Sequence, residues 1–128
     1  MPAYTHRPLT DVDDAAPAMG LPPGHEMRFA QAALDAEHTG LTHHRLAPGV
    51  RQGIGHRHDR AEEVYVVLAG SGRVKLDDDV VAIAAGDAVR VAPPVTRSFE
   101  AGPDGMEWLA VGPHHEADGE VIPGWWSD

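Results

Sequence analysis

Residues 55–70 read Gly55-His56-Arg57-His58-Asp59-Arg60-Ala61-Glu62-Glu63-Val64-Tyr65-Val66-Val67-Leu68-Ala69-Gly70. Two histidines stand two residues apart, and a carboxylate five residues later opens an apolar run. On an extended backbone side chains at i and i+2 share a face, so His56 and His58 can aim at one point. Glu63 then has to arrive from a second strand beside them. Two imidazoles and one carboxylate make a ligand set for a divalent or non-haem iron ion. The plainer reading is a charged loop with two solvated histidines.

Outward from this stretch the chain breaks into short segments. Residues 27–30 and 41–47 read as strands, with an ambiguous helical turn at Ala32-Ala33-Leu34 between them. Residues 54–58 and 63–69 are the strands carrying the quoted stretch. Gly70-Ser71-Gly72 reads as a turn before the alternating run 73–76, and Asp77-Asp78 as a hairpin turn into 80–84. Ala85-Gly86-Asp87 leads to 88–92 and Pro93-Pro94. Strands 95–100 and 106–111 are expected to form a hairpin about Ala101-Gly102-Pro103-Asp104-Gly105, which has strong turn chemistry. Short strands broken by Gly, Pro and Asp define an all-β sandwich or barrel over this region. Residues 1–25, with Pro2, Pro8, Pro17, Pro22 and Pro23, are expected to be an extended arm lying along the domain or a second subunit, or disordered. Residues 113–128 form a tail without periodicity, in which Trp125 and Trp126 anchor it on the barrel or on a partner.

The length of 128 residues fits one domain, here taken as residues 26–112. Apolar content of 42% and charged content of 23% are those of a soluble globular protein. A formal charge of −10 gives no basic face for phosphates, so neither nucleic acid nor an anionic membrane is expected as a partner. Without cysteine there is no disulfide framework and no thiolate metal site. The N-terminal residues contain no apolar signal core, and a cytoplasmic location is the expectation. No Ser-His-Asp, phosphate-loop or Cys-His pattern points to another enzyme class.

The spacing His56-x-His58-x4-Glu63-x6-Gly70 resembles the first motif of the cupin family. Gly86-Asp87-Ala88-Val89-Arg90-Val91-Ala92-Pro93-Pro94 resembles the second, and the two span about residues 45–111. The resemblance implies a double-stranded β-helix jelly roll with the arm appended. It also implies a metal, Fe, Mn, Ni or Zn, held by His56, His58 and Glu63 inside the barrel. The family has a further histidine a few residues after the Pro-Pro, where this chain has Arg97.

Arginine offers only donors and cannot replace an imidazole as a ligand. Three readings follow. The metal is kept on three ligands and Arg97 orients an anionic substrate group. Alternatively Arg97 pairs with Glu63 in a metal-free pocket that binds or senses a small molecule. In the third, Arg97 points outward and the site is a relic. The first reading describes a metal-dependent enzyme, an oxygenase or isomerase in type, acting on a small anionic molecule. Tyr65 would assist by hydrogen bonding, and Arg97 and Phe99 would face the substrate. Strand phase puts Tyr65 and Val67 on the side of Glu63, and Thr96, Ser98 and Glu100 on a polar face opposite Arg97 and Phe99. Both faces of 63–69 are apolar, which suggests a homodimer. His43, His44, His114 and His115 are expected to have packing or solvated roles, Arg90 an acidic surface partner, and Trp108 a place at the pocket rim or between subunits.

Overall fold

The computed structural model describes residues 3–127; the first two residues of the arm and the last of the tail lie outside the described residues. Among the described residues eight strands follow one another: β1 (His25–Phe29), β2 (Thr39–Leu46), β3 (Ile54–His58), β4 (Glu63–Leu76), β5 (Asp79–Ala84), β6 (Ala88–Val91), β7 (Arg97–Pro113) and β8 (Gly119–Pro123). A single helical turn, α1 (Ala30–Ala33), follows β1. All pairings are antiparallel.

Two long strands organise the jelly roll. β4 and β7 pair along their whole length, from Val64 opposite Val111 to Leu76 opposite Arg97. The first half of β4 continues outward to β6, and the second half of β7 to β2 and β1. At the other end β4 pairs with β5, while β7 meets β3 at Arg97 and His56, and β3 carries β8. The sheet therefore curls around an interior filled by inward residues such as Tyr65, Val67, Val74, Phe99, Met106 and Trp108. Tyr65 and Val67 are buried, whereas Leu68 on the opposite face is 44% exposed, as the strand phase requires.

Three segments differ from the reading of the sequence. Gly70-Ser71-Gly72 is not a turn: β4 runs through it with a register shift against β7. A Cβ on Gly70 or Gly72 would lie 2.1 Å from the carbonyl oxygen of Gly105 or Glu100, so these glycines allow a close crossing of backbones. Residues 101–105 do not reverse the chain either. β7 keeps its direction, and the extra residues are taken up in the irregularity opposite Gly70–Gly72, with Gly49 N–H bonded to Gly102 O at 3.0 Å. The tail holds the eighth strand, which the sequence conceals because four of the five β8 residues are exposed and their pattern carries no alternation.

The second motif has a visible job in the fold. Gly86 takes φ +93° at the β5–β6 turn, and Asp87 Oδ2 accepts the Ala84 N–H at 2.9 Å. The described arm lies against β1 of its own chain: Asp14 Oδ1 accepts N–H bonds from Ala16 and Met27, both at 3.0 Å, and Val12 and Ala16 are buried. At the other terminus Trp126 is buried under the Arg51 guanidinium, 4.3 Å from its ring centre, and Lys75 Nζ stands 4.5 Å from the Trp125 ring centre. Ser98 and Thr96, expected on a polar outer face, are buried beneath β3 and the tail, with Ser98 Oγ donating to Ile54 O at 2.8 Å. Among the described residues no helix is long and apolar enough to cross a membrane.

Candidate metal centre

β3 is held on one side by β7 and on the other by β8, and this fixes the face on which its histidines stand. His56 and His58 project to the interior at i and i+2, their rings edge to face with centres 5.4 Å apart. After the 59–62 loop, β4 opens with Glu63, whose Oε1 lies 3.1 Å from His58 Nε2 and 3.4 Å from His56 Nε2. One ligand atom from each of the three residues falls within 4.8 Å of the others. Tyr65 Oη donates to the same Glu63 oxygen at 2.6 Å and stands 3.3 Å from His56 Nε2.

Arg97 reaches this oxygen from beneath. Its Nη2 is 3.4 Å from Glu63 Oε1, its Nη1 donates to Val95 O at 2.8 Å and Pro93 O at 3.3 Å, and the side chain has no solvent exposure. Burial pushes the Glu63 carboxyl upward, but hydrogen bonding from His56, His58 and Tyr65 outweighs it and holds the group below the usual carboxylate range. Burial and the facing carboxylate push the Tyr65 hydroxyl well above its ordinary value, so it remains a donor.

The donor set suits a divalent ion in a further respect. His58 lies between two carboxylates, Glu63 at Nε2 and Asp118 Oδ2 at 3.3 Å from Nδ1. The Asp118 contact is within ion-pair range without being aligned as a hydrogen bond. A neutral imidazole has one N–H. As hydrogen-bonded to Glu63 that N–H is on Nε2; moved to Nδ1, toward Asp118, it would free the Nε2 lone pair, the tautomer a metal needs. Asp118 itself is fixed by the N–H groups of Arg60 (2.9 Å) and Ala61 (3.0 Å), tying the tail to the loop between the histidines and Glu63.

The three expected ligands and Tyr65 line one cavity of about 370 Å³. Arg97 and Phe99 do not line it: both are fully buried below the floor, Phe99 packing edge-on to Tyr65 with centres 4.9 Å apart. From the sequence one of His43 and His44 could turn inward, with a packing or surface role preferred for both, and Asp118 is not marked. His44, one of an adjacent pair, turns inward, lines the cavity and stacks on Trp108 at 4.9 Å and 6°. Burial drives its pKa down to about 3. Asp118 sits in a loop of the tail that no motif marks. His43 faces outward to Glu107 at 2.8 Å, and Arg90 pairs with Glu62 at 3.3 Å. His114 and His115, expected in solvent, stand at the cavity mouth, and Trp108 is wholly buried in the core.

The sequence profile of the Cupin domain matches residues 42–112, more than half of the chain. The protein belongs to the cupin family. By structure it is similar to a cupin protein from Bacteroides fragilis, with TM-score 0.73 and 20% identity over 91% of this chain and 89% of that one. It is also similar to the polyketide cyclase RemF from Streptomyces resistomycificus, with TM-score 0.74 and 21% identity over 96% and 87%. Oxalate decarboxylase from Bacillus subtilis gives TM-score 0.76 and 22% identity over 94% of this chain, which spans only 32% of that enzyme. At these identities the likeness is one of fold. None of the curated proteins compared by sequence matches the chain.

Proposed function

We propose that the protein is a metal-dependent enzyme, binding a divalent ion through His56, His58 and Glu63 and a small anionic molecule in the cavity above them. The observation that carries this reading is the convergence of the three ligand atoms on one cavity floor. A divalent ion held there would supply Lewis-acid polarisation and an anchor for an anionic oxygen. The residues do the rest. Tyr65 keeps its proton on Glu63 Oε1 and closes the floor beside His56. Arg97 shares Glu63 from behind, so the carboxylate stands between the guanidinium and the histidines. That arrangement shields two cations that would otherwise repel by several kcal/mol at moderate dielectric. In this reading Arg97 and Phe99 act through Glu63 and Tyr65. The outer face of β4, where Leu68 is exposed, is our candidate for a homodimer contact, checked by the mass in solution.

The 3.4 Å Arg97–Glu63 contact favours a second reading, a metal-free binding or sensor module in which the guanidinium stands in for the ion. Metal analysis of untagged protein after incubation with Fe, Mn, Ni and Zn separates the two. One tightly held ion per chain is expected. Substoichiometric metal with all four would leave the metal-free reading.

A further inference from the structure

We propose that the cavity selects a monoanion with an aromatic or branched hydrocarbon body, in preference to phosphate esters and compact dicarboxylates. The inference rests on the metal-centre reading only for where the anionic head sits. The body is read from the walls. Above the polar floor the cavity is lined by Met27 and Phe29 of β1, Ile54 of β3, Ala110 of β7, Val121 of β8 and Met19 of the arm. Three of these are large hydrophobic groups left open to solvent, Met19 at 46%, Phe29 at 48% and Val121 at 54%. They come from three separate segments and converge on one opening. Single exposed apolar residues are ordinary, but a set gathered on the rim of a cavity describes a surface that a ligand covers.

The charges narrow the head group. Among the described residues no lysine or arginine lines the cavity, while Asp118 and Glu120 do. Arg57, which follows His56, is turned to Glu120 at 2.7 Å, and Arg97 is sealed below the floor. A phosphate or a second carboxylate would therefore enter past acidic groups and meet neither lysine nor arginine along the walls, only the imidazoles of His114 and His115 at the mouth. One anionic oxygen group at the histidines is accommodated, and the rest of the ligand has to be apolar.

The test is calorimetric titration of 1-naphthoate, 2-ethylhexanoate, oxalate and glucose 6-phosphate into metal-supplemented and chelator-treated protein, with metal stoichiometry measured separately. The two apolar acids are expected to bind at least about tenfold tighter than oxalate or the sugar phosphate. Val121→Asp and Phe29→Ser, both at exposed positions, should weaken naphthoate about tenfold while leaving metal stoichiometry unchanged. Oxalate or glucose 6-phosphate binding as tightly as naphthoate, or rim variants with unaltered naphthoate affinity, would overturn the proposal. Preference for apolar acids in a protein that takes up no metal would sink the metal-centre reading and leave the ligand class standing. Metal uptake without binding of either apolar acid would do the reverse.

Discussion

Arg97 Nη2 lies 3.4 Å from Glu63 Oε1, the same oxygen that faces both histidines and Tyr65. The guanidinium makes this contact wholly buried. Arg97→His should therefore remove a cation and add a ligand at once. Metal affinity is expected to rise by about tenfold or more, measured by competition with a chromogenic chelator. Unchanged affinity would show that residue 97 does not lie at the metal position. Arg97→Met should cost about 3 kcal/mol of stability, because it strands a largely buried carboxylate without its cation. The Val95 carbonyl also loses its Arg97 donor, while the Pro93 carbonyl keeps the His58 N–H at 2.8 Å.

Asp118 should matter to the metal through His58. With its carboxylate 3.3 Å from Nδ1, it favours the tautomer that presents Nε2 to the centre. Asp118→Asn retains the shape but not the charge, and metal affinity is expected to fall by about tenfold or more. The same variant should lower the thermal midpoint only modestly, since one oxygen remains to accept an N–H of Arg60 or Ala61. A large loss of stability without loss of metal affinity would make Asp118 a loop clasp alone.

His44 should give the fold a pH dependence of its own. Its pKa is depressed from 6.5 to about 3, so as pH falls through this range the unfolded chain takes up a proton that the folded chain does not. Stability is fully present above pH 6.5 and declines toward about 3. The charged groups that act on the ring are His56 and Glu63 from the cavity and His43 from the opposite face of β2, with Trp108 stacked on it. The carboxylates held low, Glu100 and Glu107 among them, contribute below their ordinary value of 4.5. His44→Phe keeps the stacking and cannot protonate. Urea midpoints should be close to those of the parent at neutral pH and higher than the parent near pH 5. A parent and variant that lose stability in parallel between those two conditions would contradict the assignment.

Much of the fold was legible because its signals are local. The apolar run after Glu63, the Asp77-Asp78 turn and the Gly86-Asp87 corner each specify backbone geometry within a few residues, and each is found. The three ligand candidates were legible for the same reason, since i and i+2 on a strand need no tertiary knowledge. What stayed hidden depends on contacts remote in sequence. Asp118 approaches His58 from a loop 60 residues away, and β8 is a strand because β3 offers it an edge. Whether His43 or His44 turns inward is set by the β2–β7 register, which pairs His44 with Trp108. The glycines at 70, 72, 102 and 105 were read as reversals when they serve close passage, a distinction that composition does not carry.

Gly72 turns that distinction into an experiment. If 70–72 were a turn, alanine at a position without positive φ would be tolerated or mildly stabilising. In the structure Gly72 lies in β4, and a Cβ there would meet Glu100 O at 2.1 Å and Met106 Cε at 3.1 Å. The backbone of β7 has no room to retreat, because Glu100 is anchored by Arg51 at 2.7 Å and Arg73 at 2.6 Å. Gly72→Ala should thus destabilise the protein by about 2 kcal/mol or more. Gly53→Ala is the matched control, since nothing lies within 4 Å of its Cβ position. Denaturant midpoints of the two variants should separate clearly. Equal and small effects would mean that β4 and β7 do not cross closely at Gly72, and that the continuous β7 strand has to be redrawn as a hairpin.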